Sequence, residues 1–313
     1  MAGAVVRNAA AYAIAAAIIW YEVRGFDLHE LLRAIASANL VWLVPATLVS
    51  FGVWFLGENL LFSRLFSYFH EQTGYKELLP ATATAYFLQL VNTLASGGAL
   101  VLFLHRRKGA SWTGAAFTML FVSFIDGFVL STLTIISGLL FPGSPMRNFM
   151  PYAAGALIFL LAVAAWWLWR RPKNRYELWL RERPSLVSFR LANPRIYFTL
   201  ALIRLGIFIP QAFTYYFGMK AFHLRVPLSL VCAVTPAIVA AGGTPLTPVG
   251  IGPLQAVAIE VFRGHASEAR VLAAYLVMGA ALMIYRLPLG VSAAGAYSRA
   301  VLDEPRPDAI SAR

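Results

Sequence analysis

The stretch AGGTPLTPVGIGPLQ, residues 241–255, carries residue types that suit an anion bound through the backbone. It places four glycines and three prolines between two apolar segments. Glycine lets a ligand approach the main chain closely, and proline fixes a break in a helix. The free amide groups and the positive dipole end of a helix that follows such a break favour a phosphate. The stretch therefore predicts a binding site formed by Pro245, Pro248, Gly250, Gly252 and Gln255.

A second polar interruption, NTLASGG at residues 92–98, lies within another apolar segment. Irregular backbone at membrane depth survives where it is buried in protein or lines a wet cavity. We expect Asn92, Gly97 and Gly98 to line the same cavity as the first stretch. The alternative for both stretches is structural, because small residues allow close packing of membrane helices and amides form hydrogen bonds between them.

Two arginines, Arg204 and Arg286, lie inside apolar segments. An arginine at the bilayer centre costs about 2.5 to 3.5 kcal/mol on insertion scales, so it needs a partner or a wet pathway. Both are predicted to bind an anionic group. The alternative for Arg286 is that its side chain reaches the membrane interface.

Three carboxylates lie in or near the apolar segments. Asp126 and Glu260 are candidate charge partners for a buried arginine or an ion pathway. Glu58 is expected instead to form an interfacial ion pair with Arg64, which is close in sequence.

Catalytic and metal chemistry have little support in the sequence. The five histidines are scattered without the spacing of metal ligands, and the single cysteine, Cys232, excludes an intrachain disulfide framework. Paired carboxylates at helical spacing are also missing. We expect no enzyme activity, no metal and no cofactor.

The composition predicts an all-α integral membrane protein. Hydrophobic residues make up 59% of 313, only 13% are charged, and the mean hydropathy is +0.68. The windows long enough to span a bilayer are about 4–21, 39–61, 113–141, 149–169, 196–219 and 270–295. Two further windows, about 79–104 and 227–262, contain the polar interruptions and are predicted to be re-entrant hairpins. The first window resembles a signal peptide, but WYEVRGF after it lacks a small-residue cleavage site.

The distribution of basic residues predicts the topology. With two re-entrant hairpins, 17 Lys or Arg residues share one side with both termini, and 7 lie on the other. The positive-inside rule then places both termini in the cytoplasm, with the chain in the cell membrane. The order span, span, hairpin, span occurs twice in opposite orientation, which predicts one membrane domain, 1–313, with inverted halves of about 1–145 and 146–300. The net charge of +12 sits where this topology requires it, including a basic linker at 170–195, so nucleic-acid binding is not expected.

The two interrupted segments resemble a known family. The run LRVPLSLVCAVTPAIVAAGGTPLTPVGIGPLQAVAIEVF is similar to the second half of the lysylphosphatidylglycerol synthase transmembrane, or flippase-like, family, whose Pro-x-x-Pro-x-Gly-x-Gly pattern is matched from Pro245 to Gly252. The block AYFLQLVNTLASGGALVLFLHRRKGASWTGAAFTMLFVSFIDGFVL is similar to the first-half hairpin and the following helix with its aspartate, here Asp126. The resemblance covers about 5–295. It implies a protein that moves or accommodates lipids with polar headgroups.

The chain departs from the family pattern at two places. A proline and a glutamate are common in the first hairpin, where this chain has Thr93, Ser96, Gly97 and Gly98. Gln255 stands where a glutamate is usual. Complete synthases also carry a soluble aminoacyl-transfer domain, which this sequence lacks, so we expect no synthesis of aminoacylated lipid.

The expected function is therefore that of a flippase-like protein, which binds or translocates a lipid whose polar headgroup carries a phosphate. Membrane lipids are the expected partners. Two alternatives remain open, a secondary transporter of a small anionic solute and, less favoured, an intramembrane enzyme acting on a lipid-linked substrate.

Overall fold

The structure is a computed structural model that describes residues 28–90, 93–169, 175, 179, 183, 186–243 and 252–302. Every regular element in this part of the chain is a helix, which confirms the all-α prediction. The helices are α1 (Leu28–Ala36), α2 (Leu40–Phe69), α3 (Tyr75–Gln89), α4 (Thr93–Lys108), α5 (Trp112–Leu140), α6 (Met146–Trp169), α7 (Val187–Leu191), α8 (Pro194–Ala221), α9 (Leu228–Gly242), α10 (Pro253–Phe262) and α11 (Glu268–Leu302).

Five of these helices, α2, α5, α6, α8 and α11, are long and apolar enough to cross a membrane. They coincide with five of the six predicted spanning windows. The sixth window, at about 4–21, lies outside the described residues. The protein is thus an all-α, multi-pass membrane protein.

Both interrupted windows form pairs of shorter helices, as predicted. The first pair folds back on itself, because α3 and α4 pack together and their outer ends meet. Lys108 at the end of α4 lies 3.0 Å from Glu77 in the first turn of α3, and it donates a 3.0 Å hydrogen bond to the Gln72 carbonyl. In the second pair, α9 packs against α10. A continuous helix is excluded in both windows.

Polar caps set where three of the spanning helices begin. Asn39 accepts a hydrogen bond from the Val41 amide at the start of α2. Ser111 accepts one from Gly114 at the start of α5. Asn193 caps α8, and the proline that follows it occupies the first helical position. Each cap satisfies an amide that the first turn of a helix leaves without a partner, so these side chains fix the register of the helices.

Contacts between loops define two faces of the molecule. On one face, the Asn39 amide donates to the Ala221 carbonyl at 2.8 Å, which joins the start of α2 to the end of α8. On the other, Thr118 lies 2.8 Å from the His70 ring and 2.6 Å from the Ser188 hydroxyl. We call the second face the basic face, since it carries the linker before α8, and the first the opposite face.

The same helix–helix contacts are found when the two halves of the chain are interchanged. Helix α2 packs on α8, α3 packs on α11 and α9 packs on α5, while each hairpin also contacts the spanning helices of its own half. Swapping α2–α5 for α8–α11 reproduces this set of contacts. The inverted repeat stays a prediction, and these pairings support it. The main hydrophobic core lies among these helices. Helix α6 packs on α5, and its segment Met146–Val163 is largely exposed.

Candidate functional site

A cavity of about 390 Å³ lies between the central helices, near the middle of their length. Helices α2, α5, α8, α9 and α11 form its walls, and α3 contributes the end that faces the first hairpin break. Aromatic side chains cover part of the wall. The polar lining consists of Ser50, Glu58, Gln89, Ser123, Asp126, Arg204, Gln211 and Arg286. Such a concentration of polar groups inside an apolar bundle is the feature expected of a functional site in a membrane.

Arg204 is buried in the cavity wall and holds two carboxylates from neighbouring helices. Its Nη1 donates to Oε1 of Glu58 at 3.1 Å, and its Nη2 donates to Oδ2 of Asp126 at 3.1 Å. Its Nε lies 2.5 Å from Oδ1 of the same aspartate. The guanidinium fork therefore joins α8 to both α2 and α5. A guanidinium matches carboxylate geometry in this way, and two acids more than neutralise its charge.

Helices α2 and α8 are also joined by a hydrogen bond between two neutral side chains, at the positions that correspond to the ion pair when the two helices are interchanged. The Ser50 hydroxyl of α2 donates to Oε1 of Gln211 of α8 at 2.8 Å. Ser50 and Arg204 are each the eleventh residue of their helix, while Glu58 and Gln211 are the nineteenth and eighteenth. The α2–α8 contact thus has an ionic pair at one end of the cavity and a neutral pair at the other.

Arg286 is the second arginine of the cavity, and its surroundings differ from those of Arg204. It is the nineteenth of the 35 residues of α11, is 9% exposed and stacks over the Tyr86 ring at 5.2 Å. Among the described residues, none pairs with it in a salt bridge, and its Nε and Nη1 lack hydrogen-bond partners. The guanidinium borders the cavity. The alternative in which the Arg286 side chain reaches the membrane interface does not fit the structure, because the side chain is buried and borders the cavity.

The ends of both hairpins border this space. Gly242 and Gly243, at the end of α9, line the cavity itself. Gly97 and Ser96 of α4 line an adjoining cavity of about 200 Å³, which shares Glu58 with the first one. Both polar interruptions therefore lie near one connected polar region. Gly98 is exposed and does not line either cavity.

The sequence model of a family described as the lysylphosphatidylglycerol synthase TM region matches residues 8–290. The chain belongs to this family. The resemblance predicted from the two interrupted segments is confirmed. A comparison with curated proteins found no match. Membership makes the chain a membrane protein of a family concerned with lipid handling.

The family motif of the second hairpin lies largely outside the described residues. This applies to Pro245, Pro248 and Gly250, and also to Asn92 of the first hairpin. Gly252 is described, and it adopts a φ of 98°, which favours glycine. Its amide donates to Oε1 of Gln255 at 2.7 Å.

The structure gives Gln255 a different position from the predicted one. Its side chain caps its own helix, α10, through Gly252 and does not line the cavity. Glutamine at the third helical position reaches back in this way in a capping box. The family's usual glutamate can make the same bond, so replacing it by glutamine leaves this turn of the chain satisfied.

Two predicted charge pairings are corrected. Glu58 does not pair with Arg64 but with Arg204, because the α2–α8 contact turns Glu58 inwards while Arg64 is exposed. Glu260, a candidate partner for a buried arginine, instead lies 2.9 Å from Arg263 on the exposed surface at the end of α10.

Sequence reasoning missed Ser50, Gln211 and Tyr86. Ser50 and Gln211 stand as single polar residues in apolar helices, which gave a weak signal. Tyr86 gave no signal in the sequence, since an aromatic residue at a hairpin end is common in membrane segments. The assembled site can hold an anion, because the Arg286 guanidinium forms no salt bridge with a described residue. The described residues contain no group of three or more His, Cys, Asp or Glu side chains suited to a metal.

Proposed function

We propose that this protein binds the phosphate-bearing headgroup of a membrane lipid in the central cavity and moves it between the two leaflets. The single observation that carries this proposal is Arg286, a buried guanidinium that borders the cavity and forms no salt bridge with any described residue. A buried charge is costly unless it is paired, so a site that keeps one free is suited to a ligand of opposite charge. Membership in a lipid-handling family identifies the class of ligand.

The size and lining of the cavity support a headgroup as the ligand. A volume of about 390 Å³ lies within the range of small-molecule sites. The C-terminal end of α9 at Gly242 and Gly243 borders the cavity, and its carbonyl groups, with the side chains of Gln89 and Ser123, can hydrogen-bond to a glycerol or sugar hydroxyl. The headgroup enters this polar space while its acyl chains remain in the bilayer.

The matching helix contacts of the two halves support movement of the lipid in addition to its binding. In transporters with inverted repeats, one half rocks against the other around a site at their interface. Here Arg286 and the α3 hairpin belong to opposite halves, and both border the cavity. We infer that their separation and closure open the cavity to each leaflet in turn. The proposal includes no covalent step.

We also propose an orientation, with the basic face in the cytoplasm and the chain in the cell membrane. The helix ends at the basic face carry Arg64, Lys76, Arg106, Arg107 and Lys108, and Arg195 lies there at the start of α8. Anionic lipids of the cytoplasmic leaflet attract such segments by about 1 kcal/mol per basic residue.

The test is lipid movement in reconstituted vesicles. Phosphatidylglycerol with a fluorescent acyl chain is scored by how much of it an impermeant quencher reaches over time, and phosphatidylcholine of the same chains is the headgroup control. Arg286→Gln is expected to lower movement by about 10- to 100-fold, because a charged hydrogen bond contributes about 1.5–3 kcal/mol. An exposed arginine near the end of the same helix gives a matched control, and Arg299→Gln should leave movement unchanged.

Two outcomes would contradict the proposal. One is unchanged movement in Arg286→Gln. The other is uptake of soluble phosphate by the same vesicles with no effect of the protein on lipid, which would favour transport of a small anion.

A further inference from the structure

A second pocket, of about 680 Å³, lies on the opposite face where α2 begins and α8 ends. Asn39, Trp42, Tyr216 and Lys220 line it from the two helices, and the loop at 222–227 completes it. The hydrogen bond from the Asn39 amide to the Ala221 carbonyl holds the two helix ends together. This pocket is separate from the central cavity, because the two share no lining residue.

The charge-bearing side chains that the structure describes in this pocket are all basic. Lys220, His223 and Arg225 are exposed at its rim, and none of its described lining residues is a carboxylate. Within the described part of the chain, neither Lys220 nor Arg225 takes part in a salt bridge. The Lys220 ammonium lies 4.7 Å from the centre of the Trp42 ring. These basic groups are available to an anion.

The surroundings of the pocket point to a lipid as the source of that anion. Trp42 stacks on Phe217 with ring centres 5.5 Å apart, and the neighbouring Leu40 and Val41 are 64% and 76% exposed. Aromatic side chains at the end of a spanning helix lie at headgroup level, and exposed apolar residues there contact acyl chains. A soluble anion would gain nothing from such neighbours.

The loop has a left-handed backbone at one of its basic residues. His223 has a φ of 58°, in a region that glycine favours and that asparagine, aspartate and histidine enter more often than other L residues. It follows the end of α8, where the Leu224 amide donates to the Met219 carbonyl, and glycine is the usual residue at this position of such a turn. A histidine in place of that glycine puts an imidazole at the pocket rim.

We propose that this pocket is a second anion site, which holds the phosphate of a lipid headgroup at the opposite face before or after its passage through the central cavity. The inference rests on the proposed function. Lys220 lies 16 residues after Arg204 on α8, a separation of about 24 Å along the helix at 1.5 Å per residue. Adjacent tyrosines on α8 border the two spaces, Tyr215 the cavity and Tyr216 the pocket. The headgroup therefore moves along α8 between the two sites.

The experiment measures binding of a short-chain phosphatidylglycerol to the full chain in detergent by calorimetry. The Arg286→Gln protein, which lacks the central cation, is expected to retain one binding site. Adding Lys220→Gln and Arg225→Gln should weaken that remaining site by about 10-fold or more, since two charged contacts are lost. His223→Gly should weaken it less and raise the melting temperature, because glycine adopts this left-handed conformation more readily than histidine.

A matched control keeps general surface charge constant. Arg147 and Arg270 are exposed, do not line the pocket and lie at the same face. Replacing both by glutamine removes the same charge as the double variant, and binding should be unchanged. Melting curves show whether each variant is folded.

Three outcomes would overturn the second site. They are equal weakening by the Arg147 and Arg270 control, tighter binding of inorganic phosphate than of the lipid, and unchanged lipid binding after loss of Lys220 and Arg225. Failure of the proposed function looks different: Arg286→Gln would then retain lipid movement, whatever happens at the second pocket.

Discussion

The cavity contains two buried arginines, and their surroundings differ in one respect that decides their roles. Arg204 is 2% exposed and bonded to carboxylates of two other helices. Arg286 is 9% exposed and has a tyrosine ring as its described partner. Removing one member of a buried ion pair leaves an uncompensated charge, whereas removing an unpaired charge leaves none. The first arginine should therefore serve mainly the fold, and the second should serve the ligand.

The largest effect is expected from Arg204→Gln. The change leaves Glu58 and Asp126 facing each other without their cation, so it should lower the free energy of unfolding by about 3–5 kcal/mol. Thermal melting in detergent measures this effect.

A rescue variant tests the reason for that loss. Combining Arg204→Gln with Glu58→Gln and Asp126→Asn removes all three charges, and most of the stability should return. A triple variant as unstable as Arg204→Gln would show that the ion pairs are not what holds α8 to α2 and α5.

The next largest loss of stability is expected from substitution of Gly290, which lies one turn beyond Arg286 on α11. A Cβ atom at Gly290 would lie 2.2 Å from the Cβ of Phe87, so α11 and α3 touch through backbone-near atoms that no rotamer change can move. Gly290→Ala should cost about 1–3 kcal/mol of stability. Because Tyr86 precedes Phe87 and supports Arg286, lipid movement should fall as well.

Gly295 of the same helix is the matched control. A Cβ there meets no atom within 4 Å, so Gly295→Ala should be neutral or slightly stabilising, as alanine favours helix. Equal destabilisation by both alanines would mean that the α3–α11 contact is not tight.

Arg286→Gln should change stability little, and this is the sharpest contrast with Arg204→Gln. Glutamine removes a buried charge that pairs with no described acid, so the melting temperature should stay the same or rise. Short-chain phosphatidylglycerol at 100 times its dissociation constant should stabilise the wild-type protein by about 2.7 kcal/mol. The variant should lose the part of this protection that the central site supplies. A large drop in its melting temperature would place Arg286 with Arg204 as a structural residue.

The spanning helices and the two hairpin breaks could be predicted because they depend on local sequence. An apolar window of sufficient length, or a window interrupted by glycine and a polar residue, specifies its own structure in a membrane. The five described spans and the breaks after Gln89 and Gly242 follow from this.

The partners of the charges could not be predicted, because they depend on how helices rotate about their axes. Glu58 was assigned to Arg64 by closeness in sequence, yet the contact with α8 turns it to Arg204. Both arginines were predicted to bind an anionic group, whereas the pairing of Arg204 with two carboxylates leaves Arg286 as the candidate ligand. Each of these choices needs contacts between residues far apart in sequence, which a single sequence does not contain.

The smallest effect is expected from acid, and it should arise outside the cavity. His70 lies on the basic face, where its ring contacts Thr118, and burial lowers the pKa of its imidazole below the usual value of 6.5. The folded protein then binds fewer protons at this site than the unfolded chain. Its contribution to stability is therefore complete above pH 6.5, falls as the pH drops below that value, and stops falling once the folded protein also protonates His70.

Melting temperatures measured between pH 8 and pH 5 would distinguish the effect of His70 from that of the two arginines. Both guanidiniums keep their charge throughout that range, so stabilisation by the lipid should persist. The loss of stability on acidification should be smaller in His70→Gln than in the wild-type protein. Glutamine keeps a polar group near Thr118 but cannot take up the proton. The exposed His265 provides the control, since His265→Gln should leave the acid dependence unchanged. If His70→Gln instead shows the same dependence as the wild-type protein, the proton acts elsewhere, and Glu58 and Asp126 beside Arg204 become the groups to test, by measuring the same melting curves in Glu58→Gln and Asp126→Asn.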